Sequence, residues 1–217
     1  MFFKCGKKKV RIALDAGHGG LDSGYASPIV QEKQITLSIT RFVAQCLKEQ
    51  GYDVFLTRSA DMTVSLSERI TSAHAAHSDM FVSIHANAGA VKVSGIETFY
   101  LESERLQHKM SHMSYKEKKA VVALAKKHSH MSCMLAQDIQ EATLAAAKKK
   151  QSKVIDRGVK AGSCQVLMGF QGPAALIEVG YLTSEGEGAL LQTLDYQKRL
   201  AHGICEGIKM FIDKHFA

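Results

Sequence analysis

At 217 residues and 46% hydrophobic content, the chain is large enough for one α/β domain with a single substantial core. Its 23% charged residues and only two prolines exclude an intrinsically disordered protein, and no apolar run is long enough for a transmembrane helix. The net charge of +7 favours an anionic partner. The lysine clusters at 7–9, 116–119 and 148–150 lack interleaved aromatics, so they give a nucleic-acid partner no support.

The opening "MFFKCGKKK" lacks the apolar stretch of a signal peptide, which leaves either a cytoplasmic protein or one whose export signal has been removed. Next, "KVRIALDAG" reads as a first strand running into the glycine-rich block "LDAGHGGLDSG". Ile35, Ile39, Phe42, Val43, Cys46 and Leu47 recur at helical spacing, with Gly51 as the stop. "YDVFLTR" is a second strand, and Ser65 three residues before Glu68 forms a capping box that starts a second helix. "DMFVSIHAN" is a near-continuous apolar run, as expected of a strand buried on both faces.

Strand, helix, strand, helix, strand implies right-handed crossovers and a largely parallel sheet. "GIETFYL" reads as a fourth strand, "QVLM" and "AALIEVGYL" as two more, and Leu200, Ile204, Ile208 and Ile212 mark a last helix. Between Glu102 and His130 lies a basic stretch of weak periodicity, read as an excursion from the sheet, partly helical and surface-exposed, before "MLAQDIQEATLAAA" resumes a helical pattern. The cysteines Cys5, Cys46, Cys133, Cys164 and Cys205 form no C-x-x-C pair and read as small buried hydrophobes, which leaves the redox compartment undecided.

The glycine-rich block is neither a phosphate loop, which needs G-x-x-x-x-G-K-[ST], nor a dinucleotide fingerprint, because Asp22 stands where the third glycine belongs. "HGG" is similar to an oxyanion loop, but no G-x-S-x-G nucleophile elbow exists. A metal site remains. His18 follows the first strand, Glu32 opens the first helix and His85 ends the third strand, so all three fall at the carboxyl edge of a parallel sheet. Glu178 interrupts an apolar strand, where a buried carboxylate is costly unless paired or functional.

Four blocks in order, "IALDAGHGGLDSG", "QEKQITLSIT", "LTRSADMTVSLSERITSAHAAHSDMFVSIHANA" and "DRGVKAG" leading to "GPAALIEVGYLTS", resemble the zinc-dependent N-acetylmuramoyl-L-alanine amidases of bacterial cell-wall turnover, the amidase 3 group. The resemblance runs from Lys9 to about Ile212 and implies one catalytic domain over residues 1–217, with a basic insert at about 102–130. It implies a twisted, mostly parallel six-stranded sheet flanked by helices, one zinc ion held by His18, Glu32 and His85, and Glu178 as the catalytic residue. The implied reaction cuts the amide between N-acetylmuramic acid and L-alanine: zinc lowers the pKa of a water to about 7 and Glu178 takes its proton.

Further expectations follow from the same resemblance. The substrate is peptidoglycan or a muropeptide, the place of action is the periplasm or cell envelope, and there is room for a protein activator. Asn87 and Arg157 match polar positions suited to orienting substrate or water, and Asp15 or Asp22 fixes the tautomer of a ligating imidazole. The glycines leave room for the substrate to reach the metal. Some relatives cover the zinc with a helix bearing a glutamate; Glu102, Glu104 and Glu117 are the residues that could do so, but an open cleft is the stronger expectation.

His108, His112, His128 and His130 read as a solvated loop ahead of a second metal site. Ser184, His74 and His77 depart from the family pattern without touching a ligand. The rival readings are a zinc carboxypeptidase or endopeptidase acting on the stem peptide, and a non-catalytic wall-binding relative.

Overall fold

The structure is a computed structural model that describes residues 9–106, 110, 111, 113–151 and 153–216. Six strands form one sheet: β1 (Arg11–Ala16), β2 (Asp53–Leu56), β3 (Met80–Asn87), β4 (Ile96–Leu101), β5 (Asp156–Gly162) and β6 (Ala174–Tyr181). Their order is β2-β1-β3-β6-β4-β5. The first four of these are mutually parallel, while β4 runs antiparallel to β6 and parallel to β5. The carboxyl ends of β1, β3 and β6 therefore share an edge with the amino ends of β4 and β5.

Five α-helices accompany the sheet: α1 (Glu32–Glu49), α2 (Leu66–Ala75), α3 (Tyr115–Lys148), α4 (Glu185–Leu191) and α5 (Leu194–His215). The apolar stripe of α1 buries Ile35, Ile39, Val43 and Leu47 against Ile12, Leu14, Val82 and Ile84, and α5 adds Leu200, Ile204 and Ile208 to that core. Each such aliphatic side chain stabilises the fold by about 1.5–3 kcal/mol. The other sheet face packs Phe81 and Leu176 against Ile70 and Ala73 of α2. The Ser65–Glu68 capping box that starts α2 is formed on both sides.

Two elements differ from the sequence reading. "QVLM" is no strand: Gln165–Leu167 is a turn of 3-10 helix, and Val166 and Leu167 are buried beneath α2 and Phe81 rather than within the sheet. The fifth strand is instead "DRGVKAG", an edge strand of half-buried residues with no apolar pattern to announce it. The basic excursion is partly helical, as expected, but its helix is continuous with the next: α3 begins at Tyr115 behind a second capping box, Ser114 with Glu117, and runs unbroken for 34 residues. Its first half joins the core under α2 through Val121 and Ala125, and its second half joins the opposite core through Leu135 and Ile139.

The cysteine reading is corrected for one pair. Cys46 of α1 and Cys205 of α5 form a disulfide with Cα atoms 6.4 Å apart, while Cys133 and Cys164 stay outside it and Cys5 lies outside the described residues. Spacing could not reveal the bond, because 159 residues separate its ends and only the packing of α5 on α1 joins them.

Candidate metal centre

The glycine-rich block leaves β1 and turns sharply, so that His18 takes a φ of 61°, a left-handed conformation that costs a non-glycine residue about 1–3 kcal/mol. Two arginines of low exposure hold it there. Arg69 Nη2 donates to the His18 carbonyl at 2.7 Å and its Nη1 to the Ala16 carbonyl and Asp15, also at 2.7 Å. Arg58 donates to the carbonyls of Ala16 and Gly17 at 2.8 Å each and to that of Lys33 at 2.9 Å, which ties the loop to the first turn of α1. Asp15 carries the matching charge at the core, with Ser83 Oγ donating to it at 2.7 Å.

Within this frame three side chains converge. His18 Nε2 lies 3.0 Å and His85 Nδ1 3.1 Å from the same Glu32 oxygen, and the two imidazoles meet edge to face at 4.9 Å. One ligand atom from each of the three lies within 4.8 Å of the others, the one such group among the described residues. Glu32 opens α1, where the N–H of Tyr25 donates to its second oxygen at 3.0 Å. On the far side of His18, Nδ1 is 2.8 Å from Asp22, which also accepts from the N–H of Gly24. Asp22, and not Asp15, is therefore the carboxylate that orients an imidazole.

Burial opposes the charge on Glu32, but hydrogen bonds from both imidazoles outweigh it and hold the carboxyl far below its ordinary range. Burial likewise works against a proton on His18, yet Glu32 and Asp22 on either side raise its pKa to about 9. A site that draws a proton this strongly onto one of two imidazoles has the negative potential a cation would use. Two histidines and one carboxylate with an open side are the donor set of catalytic zinc, so the residues present fit that ion.

Glu178 sits beside this trio on the neighbouring strand, in register with His85. The residue as a whole is half-buried, but its Oε2 is sealed from solvent and has no hydrogen-bond partner. Burial pushes its carboxyl up to about 7, with Glu32 and Glu97 adding to the rise against His85 and His18. All four residues line one open cleft of about 520 Å³, together with Leu66, Gln165 and Val166.

Two of the glycines are required by close contacts within the site. A Cβ on Gly17 would stand 2.4 Å from the His85 ring, and one on Gly24 would stand 2.4 Å from Glu32 Oε2. Gly17 and Gly24 thus make room for the side chains of His85 and Glu32, a role the sequence reading did not give them.

Asn87 also lines the cleft, while Arg157 lies further along the edge, and both donate to Glu97. Glu102, Glu104 and Glu117 are absent from the cleft lining, and Glu117 caps α3. His128 and His130 are carried on α3, away from the site; His108 and His112 lie outside the described residues. His74 stacks on Phe170 and His77 follows the end of α2, neither at the cleft. Sequence reasoning passed over Arg58, Arg69 and Glu97; Glu97 interrupts an apolar strand just as Glu178 does and was open to the same argument.

Comparison with known proteins agrees with this geometry. The sequence profile described as N-acetylmuramoyl-L-alanine amidase matches residues 12–210. The N-acetylmuramoyl-L-alanine amidase AmiA of Escherichia coli is 30% identical over 94% of this chain and 76% of its own. A crystal structure of an N-acetylmuramoyl-L-alanine amidase from Clostridium difficile 630 superposes with a TM-score of 0.77 at 30% identity, covering 95% of this chain and 98% of that one. The CwlD amidase of Clostridioides difficile, solved in complex with the GerS lipoprotein, gives a TM-score of 0.74 at 27% identity, with 95% and 100% covered. The chain belongs to the N-acetylmuramoyl-L-alanine amidase family, hydrolases that act on the peptidoglycan of the cell wall.

Proposed function

We propose that this amidase cuts the amide between N-acetylmuramic acid and L-alanine with one zinc ion held by His18, Glu32 and His85, and with Glu178 moving the proton. The observation that carries the reading is the convergence of three donor atoms within 4.8 Å beside a carboxyl oxygen that has no other partner. When bound, zinc supplies Lewis acidity toward water and the scissile carbonyl.

The chain's own residues supply the rest. Asp22 keeps the proton of His18 on Nδ1 and so leaves Nε2 free to ligate. The Glu178 carboxylate takes a proton from the attacking water and returns it to the departing amine nitrogen, and burial of the group strengthens its hold on that proton. Arg58 and Arg69 hold the loop so that these atoms need no rearrangement.

We read the chain as a single catalytic domain that works in the cell envelope, where its substrate lies. The lipoprotein bound to one relative supports a protein partner for this chain as well. Purified protein loaded with zinc is expected to release intact stem peptides from peptidoglycan, as read by mass spectrometry; shortened stems with sugar still attached to L-alanine would overturn the reading. Glu178→Gln is expected to retain zinc and lose at least about a thousandfold in rate, whereas His85→Ala loses both metal and activity. Undiminished cleavage by Glu178→Gln would remove that residue from its role.

A further inference from the structure

The β4–β5 side of the edge carries a second charge cluster. Glu97 is 3% exposed and accepts from four side chains. Asn87 Nδ2 and Tyr181 OH donate to one oxygen at 2.9 Å each, while Arg157 Nε at 3.2 Å and Lys160 Nζ donate to the other. One buried carboxylate thus holds two cations, whose side chains remain 31% and 39% exposed. The guanidinium of Arg157 also lies over the Tyr181 ring, 5.2 Å from its centre, which fixes its orientation. Glu187, behind Tyr181, accepts from the backbone N–H groups of Gly95 and Tyr181 and from neither cation.

The register sets the distance to the chemistry. His85, Glu178 and Glu97 are lateral partners on three adjacent strands, so their side chains point to one face. With strands about 4.8 Å apart, Glu97 stands one strand beyond Glu178 and its cations about 5–10 Å from it. Asn87 joins the two regions, since it lines the metal cleft and donates to Glu97. An extended peptide advances about 3.3–3.6 Å per residue, so this span corresponds to a group one to three residues from the cut.

We propose that Arg157 and Lys160 form a subsite for a free carboxylate on the substrate's stem peptide, with Glu97 as the buried post that fixes both cations. The proposal rests on the amidase reading above. A saturated Glu97 positions the two donors without using all of their hydrogens, and a guanidinium beside an ammonium is a strong receptor for a carboxylate.

Two synthetic muropeptides decide it, identical except that the residue after L-alanine bears a free carboxylate in one and a carboxamide in the other. The zinc-loaded wild type is expected to favour the free acid by about tenfold in kcat/KM. Lys160→Met and Arg157→Gln each abolish most of that preference through KM, with zinc content and cleavage of the carboxamide little changed; Arg157→Lys restores part of it. Calorimetric binding of the two peptides to the wild type gives the same ranking without any variant. Absence of a preference in the wild type, or equal loss on both substrates in both variants, overturns the subsite and leaves the amidase reading standing. Cleavage of neither peptide overturns both.

Discussion

On the β1–β3 side of the sheet it is the cations that are buried: Arg58 and Arg69 are 2% and 4% exposed and hydrogen-bond to backbone carbonyls, with Asp15 as the one carboxylate bonded to Arg69. On the β4–β5 side the carboxylate Glu97 is buried, and Arg157 and Lys160 stay half in solvent. Burying a guanidinium commits all its donors to the protein, which shapes a backbone; burying the acid commits only part of each cation, which leaves donors to meet a ligand. The first arrangement holds the strained loop that carries His18, and the second leaves two cations partly exposed beside the same edge.

The contrast can be broken from either side. Arg69→Leu leaves Asp15 buried without its ion-pair partner, and is expected to lower the unfolding free energy by about 3–5 kcal/mol and to weaken metal binding with it. Arg157→Leu, whose charge is partly in solvent, should cost no more than about 1 kcal/mol and leave metal binding alone. Denaturant titration with metal analysis reads both; equal losses would erase the distinction between the two sides.

A pH series on metal-free protein sharpens the boundary between them, where Glu178 stands. A carboxyl raised from 4.5 to about 7 adds stability that is fully present below its ordinary pKa and is lost as pH rises through about 7. The wild type should lose on the order of 2–3 kcal/mol between pH 4.5 and 8 that Glu178→Gln does not. His18, raised to about 9, contributes a loss of the same sign at higher pH in both proteins, so the difference between them isolates Glu178. Parallel stability curves would contradict the raised pKa.

The smallest expected effect on stability concerns the imidazole's support. Asp22 is largely exposed, so Asp22→Asn should scarcely change stability, yet it is expected to weaken metal affinity about 10–100-fold by releasing His18 Nδ1. Equilibrium zinc competition measures it, and unchanged affinity would make Asp22 a surface partner only.

His18, Glu32, His85 and Glu178 were legible in the sequence because each breaks an apolar or helical pattern at the end of an element, where a parallel sheet gathers ligands. The helix start at Ser114–Glu117 was legible too, in the same capping box that marked α2, but the surrounding lysines masked it. Strand β5 was not legible, because an edge strand half in solvent has no burial pattern to imprint on its residues. Arg58 and Arg69 resemble ordinary surface charges in the chain, and only the fold shows the carbonyls they were placed to meet.

By itself, then, the sequence determined the α/β class and singled out the four polar residues that the fold brings to one cleft, since these depend on periodicity and on polar residues at the ends of apolar segments. The tertiary structure alone decided that Gly17 and Gly24 make room for His85 and Glu32, that Asp22 rather than Asp15 holds His18, that Cys46 meets Cys205, and that Glu97 gathers Arg157 and Lys160. Those facts are contacts between segments distant in the chain, and local pattern carries no record of which distant partner a side chain meets.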